Sequence, residues 1–168
     1  MLSKELTKVD IEKIEQEINY RQVELAPVLR AEVTRTREFG DLSENAEYKE
    51  AKRAKRQNDS RIRYLEALLR NANVIEIEGS PDEISLFDRV EIRNEKTGAT
   101  KKIQIVTTLR QNALLGFVSK ESPLGQALMG KKVGDRTLVT VNENMSYYVT
   151  VLSLEKGEDN EDLPISGY

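Results

Sequence analysis

Apolar positions recur at alternating steps of three and four along roughly the first 73 residues and at steps of two thereafter, so the pattern predicts two halves of different kinds. Over about Asp10–Phe39, one helical face carries Ile11, Ile14, Ile18, Arg21, Leu25, Val28, Glu32 and Arg35. Over about Ser43–Asn73, the matching face carries Tyr48, Ala51, Lys55, Asn58, Ile62, Leu65, Leu69 and Ala72. Both are heptad seams in segments rich in helix-forming Glu, Lys, Arg, Leu, Ile and Ala. A turn at Gly40-Asp41-Leu42 folds one seam onto the other, setting Ile14 against Leu69, Ile18 against Leu65 and Leu25 against Asn58. The expected element is an antiparallel coiled-coil hairpin whose arms, roughly 30 residues each, reach about 45 Å at about 1.5 Å per residue. Glu32, Arg35 and Lys55 occupy core positions near the turn, which puts most of the stability at the base. Pro27 lacks an N–H and crowds the turn before it, and is expected to kink or break the first helix.

Beyond Val74 the two-residue period predicts strands at Val74–Ile77, Arg89–Arg93, Lys102–Val106, Leu114–Val118, Thr137–Val141 and Tyr147–Leu154. Lys96-Thr97-Gly98 and Val133-Gly134-Asp135 read as turns. One short helix is expected, with Ser122 as its N-cap, Pro123 at its first position and Gly130 at its end. The fold class is therefore α+β: a helical hairpin over residues 1–75 and a β-rich domain with one short helix over 76–155. The acidic residues 156–168 lack an apolar period and are expected to form a mobile tail.

A chain of 168 residues accommodates two small units, and 38% apolar with 33% charged residues suits a thinly cored hairpin beside a globule. With no Cys and no His, disulfides, thiol nucleophiles and histidine acid–base chemistry are excluded, and any metal must be held by oxygen. No apolar run approaches a membrane span and no signal-peptide pattern follows Met1, so the expectation is a cytoplasmic protein with no membrane partner. The net charge of −3 hides a local excess: residues 49–70 hold eight Lys or Arg against three acids, while 155–162 sum to −4. A duplex-DNA binder would show a larger basic excess, so free nucleic acid is not the expected principal partner. Arg35, Arg37, Lys49, Lys52, Arg53 and Arg56 would attract phosphate over about a Debye length, roughly 8 Å; a solvated helix face explains them equally well.

Candidate chemistry concentrates at the predicted turn, Phe39-Gly40-Asp41-Leu42-Ser43-Glu44-Asn45-Ala46-Glu47-Tyr48. Asp41 and Glu44, three positions apart, suit Mg²⁺, which often takes one or two protein carboxylates and completes its shell with water and phosphate. The same spacing is that of a capping box, in which both carboxylates are engaged by backbone N–H groups, and spacing alone favours that commoner use. Ser43 fits a hydrogen bond at the helix start, and Ser43 or Asn45 could orient water or RNA.

The stretch Gly40–Tyr48 resembles the tip signature of the bacterial Gre transcript-cleavage factors, GreA and GreB. The similarity extends through Arg61-Ile62, Asn71-Ala72-Asn73-Val74-Ile75, Ser122-Pro123-Leu124 and Ala127–Asp135, and the overall pattern is closer to GreA. The resemblance implies an N-terminal coiled coil followed by a domain like the FK506-binding proteins. It implies that the chain, expected to be a monomer, binds bacterial RNA polymerase, with Ser122, Pro123 and Leu124 docking on the polymerase and the hairpin entering its secondary channel. Asp41 and Glu44 would then help hold a second Mg²⁺, shared with the polymerase active site and bound only in that complex, while the basic residues face the 3′ end of backtracked RNA. The factor would stimulate the polymerase's own RNA cleavage and would not be an enzyme alone.

Other readings remain. A divergent homologue could enter the same channel and inhibit without cleavage. The second half could be a prolyl isomerase, but it has no Trp and only Phe87 and Phe117 to wall a pocket. A purely structural coiled-coil adaptor leaves the tip signature unexplained.

Overall fold

A computed structural model of the chain describes residues 4–40, 45–160 and 162–165. Two compact units are present: one is built mainly from Ile11–Ala72, the other from Asn73 onward together with Glu5–Asp10.

In the first unit the leading arm of the hairpin has three parts: α1 (Lys8–Asn19), a π-helical stretch (Tyr20–Leu25) and α2 (Ala26–Arg37). Proline explains the middle part. Pro27 cannot donate to the carbonyl four residues back, and the chain relieves the crowding by widening the preceding turn: the Ala26 N–H donates to the Arg21 carbonyl, five residues back. The expected break is thus a π-helical insertion, and the arm runs on beyond it.

One extra residue in that turn moves the buried face forward by one. Ala26 and Thr36 are the buried residues of α2, and Leu29 and Val33 are partly buried; of the expected Leu25, Val28, Glu32 and Arg35, Leu25 and Glu32 are only partly buried and Val28 and Arg35 are exposed. Val28 is 63% exposed. Glu32 and Arg35 are not core residues; they pair with each other at 2.6 Å on the outside. Lys55, also expected in the core, is instead paired with Asp59 at 2.8 Å, four residues along the returning helix α3 (Ala46–Arg70). The seam near the tip is therefore less polar than its sequence register suggests.

α3 buries Ala51, Asn58, Arg61, Leu65 and Leu68. Asn58 accepts from Arg21 Nη1 at 3.1 Å and donates to the Arg21 carbonyl at 3.3 Å, so its partner lies one turn nearer the base than the expected Leu25. Glu17 completes this polar layer by accepting from Arg21 Nε at 2.7 Å and from Arg61 at 2.9 and 3.1 Å. Burial pushes the Glu17 carboxyl up, but the hydrogen bonds and charges of Arg61 and Arg21 outweigh it and hold the group below its ordinary value. Such a layer fixes how the arms pair, since sliding one arm would leave buried charges without partners.

Two short strands, β1 (Lys4–Leu6) and β2 (Ala72–Val74), pair with each other, and the Ile75 N–H donates to the Leu6 carbonyl. The strand expected at Val74–Ile77 is therefore displaced towards the end of α3. The second unit is built on a five-stranded sheet of order β5-β4-β3-β7-β6. Its strands are β3 (Arg89–Asn94), β4 (Thr100–Val106), β5 (Phe117–Ser119), β6 (Arg136–Asn142) and β7 (Met145–Glu155). All neighbours are antiparallel except β4 and β5. The strand expected from Leu114 begins at Phe117 instead. Asn112 accepts from the Leu114 N–H at 3.1 Å to start a single 3₁₀ turn over Ala113–Leu115, and Gly116, at φ +78°, redirects the chain.

A short helix, α4 (Pro123–Leu128), adds Leu128 to a core of Ile84, Phe87, Val90, Ile105 and Val149. After β7 the chain does not trail away as expected. Lys156 donates to Asp88 at 2.6 Å and to Ser85 Oγ at 2.9 Å, Gly157 N–H donates to Asp88 at 3.0 Å, and Leu163 packs against the core. Composition misleads here because these polar residues have buried polar partners. Among the described residues no helix is long and apolar enough to cross a membrane.

Ala26→Glu is expected to lower stability by about 2–3 kcal/mol in urea denaturation followed by circular dichroism, whereas Val28→Glu changes it by no more than about 0.5 kcal/mol; the heptad register without the π insertion predicts the opposite ranking. Glu17 supports the hairpin above the ordinary carboxylate value of 4.5, and that support is lost as the pH falls through its lowered value. Glu17→Gln should therefore unfold with a midpoint that changes less than the wild type's between about pH 6 and about pH 3.

Candidate functional site at the hairpin tip

One amide joins the end of α2 to the start of α3. Asn45 is the N-cap of α3, in extended conformation, and its Oδ1 accepts from the Tyr48 N–H at 3.0 Å. Its Nδ2 donates to the Thr36 carbonyl at 2.8 Å, near the end of α2. Thr36 is itself fully buried, with its hydroxyl donating to the Glu32 carbonyl at 2.8 Å. A single side chain thus ends one helix, begins the next and closes the loop between them. Gly40, at φ +97°, lies in the left-handed region that favours glycine.

Asp41, Ser43 and Glu44 lie outside the described residues. The described start of α3 has Asn45 as its N-cap. From sequence alone Asn45 is expected only as a neighbour able to orient water or RNA. Its signal was present: Asn is a preferred N-cap, and it stands immediately before the helix-forming run that opens at Ala46.

All six basic residues singled out from the sequence are exposed, but their surroundings differ. Arg35 grips Glu32 with two hydrogen bonds, at 2.9 and 2.6 Å, lies 3.7 Å from Glu47 and stacks over Phe39 at 5.0 Å. The hydrogen bonds from Arg35 hold the Glu32 carboxyl below its ordinary value. Lys52 lies over the Tyr48 ring at 5.1 Å, and Arg53 approaches Glu50 at 3.7 Å. Arg37, Lys49 and Arg56 have no ion pair among the described residues. Lys49, Lys52, Arg53 and Arg56 follow the i, i+3, i+4, i+7 spacing, which aligns them on one outward face of α3. Arg35 is committed to its acids, so α3 carries the stripe.

In the second unit Ser122 caps α4: its Oγ accepts from the Gly125 N–H at 3.1 Å and donates to the Ser119 carbonyl at 2.7 Å. Gly125 is required there, since a Cβ would collide with that same carbonyl. Pro123 is exposed, whereas Leu124 is half-buried against the core. Of the three residues expected to dock, Pro123 presents the most surface.

A model of the N-terminal domain of transcription elongation factors matches residues 4–74, and a model of the GreA/GreB C-terminal domain matches residues 79–156. The chain belongs to the GreA/GreB family of transcription elongation factors. GreA from Thermotoga sp. (strain RQ2) is 36% identical over 151 residues, covering 90% of this chain and 97% of that protein. GreA from Thermoanaerobacter pseudethanolicus is 40% identical over 141 residues, covering 81% and 87%. Among solved structures, the GreA factor homolog 1 (Gfh1) protein of Thermus thermophilus is 26% identical, covers 92% of this chain and 99% of that one, and superposes with a TM-score of 0.42.

Within the Gre hairpin, Asn45→Ala removes both amide bonds at the tip and is expected to cost about 1–2 kcal/mol of hairpin stability by thermal unfolding. Asn45→Ser, which keeps a cap acceptor but not the reach to Thr36, should recover only part of that loss.

Proposed function

We propose that this elongation factor binds bacterial RNA polymerase, passes its hairpin into the secondary channel and stimulates the polymerase's own hydrolysis of backtracked RNA. The observation that carries this reading is the amide of Asn45. It caps α3 and ties that helix start to the end of α2, next in sequence to Asp41 and Glu44. An acidic pair next in sequence to a helix start that another residue caps suits the delivery of oxygen ligands to another molecule.

Asp41 and Glu44 would hold a Mg²⁺ ion shared with the polymerase. Their donor chemistry fits, because Mg²⁺ is a hard cation that prefers oxygen and tolerates a shell completed by water and phosphate. When bound there, the ion would supply activation of water and charge neutralisation for phosphodiester hydrolysis. The chain's own residues bring the carboxylates and hold them. Ser43 stands between them in sequence and offers a hydroxyl for water. Arg37, Lys49, Lys52, Arg53 and Arg56 present positive charge along the hairpin, which would draw the extruded RNA 3′ end towards the tip; Arg35, gripped by Glu32, contributes least. Ser122 and Pro123 would contact the polymerase from the second unit, with Ser122 fixing the start of α4 and Pro123 supplying the surface. The factor acts as a monomer in the cytoplasm and catalyses nothing alone.

A backtracked elongation complex with labelled RNA tests this directly. Wild type with Mg²⁺ should release short 3′ fragments, while Asp41→Asn and Glu44→Gln each lose at least about tenfold in rate, the equivalent of about 1.4 kcal/mol, and keep polymerase binding. A wild-type chain that binds, releases no fragments and slows extension would instead be an inhibitor of the same channel.

A further inference from the structure

The region matched by the family ends at residue 156, yet the chain continues as an ordered segment against the second unit. Asp159 Oδ1 accepts from Arg110 Nη1 at 2.5 Å, and its Oδ2 accepts from the Thr7 hydroxyl at 2.5 Å. The Asn160 carbonyl accepts a second bond from Arg110 Nη1 at 3.2 Å. Arg110 is a fully buried arginine whose Nε donates to Asp10 at 2.6 Å, and its guanidinium stacks over Phe87 at 5.2 Å. Its Nη2 has no partner among the described residues.

Thr7 and Asp10 form a reciprocal cap at the start of α1: the Thr7 N–H donates to Asp10 Oδ2 at 3.0 Å, and the Asp10 N–H donates to Thr7 Oγ1 at 3.2 Å. The Thr7 hydroxyl is thereby used in both directions, accepting from Asp10 and donating to Asp159. Upstream of Asp159, Gly157 lies so close to the Phe87 carbonyl that a Cβ could not be accommodated. Phe87, at φ +69°, is held in that left-handed conformation by its N–H donating to Ile105 and its carbonyl accepting from Gln104.

We propose that residues 157–160 form a strap added to the Gre module, in which Asp159 is the latch. Docked, it gives the buried Arg110 a second carboxylate and locks the Thr7–Asp10 cap onto the loop around Arg110. Released, it leaves Arg110 with Asp10 alone and opens that cation, together with the opening turn of α1, to water. The segment is built for closing: glycine gives the close approach at Phe87, Lys156 anchors its base on Asp88, and its acid finds an arginine that the rest of the domain satisfies only in part. This proposal stands whether or not the chain promotes RNA cleavage.

The test is amide hydrogen exchange on the full chain, on a chain ending at Glu158, on Asp159→Asn and on Asp162→Asn. The chain ending at Glu158 and Asp159→Asn should exchange at least about tenfold faster at residues 7–10 and 107–112, with residues 51–65 of the hairpin unchanged; a tenfold change corresponds to about 1.4 kcal/mol of local opening. Asp162→Asn removes one negative charge from the same segment without touching Arg110 and should leave all three regions as in wild type. Should truncation unfold the domain, Asp159→Asn remains decisive, because it keeps the Lys156 and Gly157 contacts. Unchanged protection at residues 7–10 in Asp159→Asn, or equal loosening by Asp162→Asn, overturns the latch.

Discussion

The missing N–H of Pro27 governs the hairpin. In a continuous α-helix the seam would have carried Leu25, Val28, Glu32 and Arg35 against α3, putting a carboxylate and a guanidinium between the two arms. With the turn before the proline widened, the fully buried positions of α2 are Ala26 and Thr36, each one residue beyond an expected seam position. Three consequences follow from that one residue. Glu32 and Arg35 pair with each other in solvent, no ion pair is buried at this end of the seam among the described residues, and Thr36 arrives beside Asn45 with its carbonyl available. A local defect in one helix thus sets the chemistry at a tip about a dozen residues away.

What the sequence made legible follows from how far each signal reaches. The two periods, the positions of β3, β4, β6 and β7 within a residue or two, and the short helix capped by Ser122 all come from local patterns, and the fold bears them out. The phase of α2 was not legible, because a proline announces a disturbance without saying whether the chain will kink, break or widen. Nor was β5: an apolar run at Leu114–Val118 looks like a strand until Asn112 and Gly116 are known to impose a 3₁₀ turn within it. At the tip, the acids were conspicuous in the sequence while the bridging amide was not, since Asn45 gains its second role only when Thr36 is brought beside it.

Arg110 and Asp159 are the clearest case of a signal that only tertiary structure reveals. An arginine in a polar loop and an aspartate in an acidic tail each read as surface residues, and nothing local joins positions 49 residues apart. The capping pattern Thr7-Lys8-Val9-Asp10 was visible in principle, but its value depends on the guanidinium that takes the remaining oxygen of Asp10.

The two buried arginines answer one physical problem in different ways. Arg61 sits between the arms, where Glu17 and the neighbouring Arg21 and Asn58 form a layer contributed by both helices. Moving either arm by a turn would separate charge from countercharge, so the layer specifies pairing more than it adds net stability. Arg110 is instead enclosed by segments distant in sequence, and one of its two carboxylates arrives on the irregular segment after β7. An internal helix cannot withdraw its carboxylate without unfolding the hairpin. The segment over 157–160 belongs to no helix or strand, so the same kind of bond that serves as a fixed register pin in one unit serves as a releasable latch in the other.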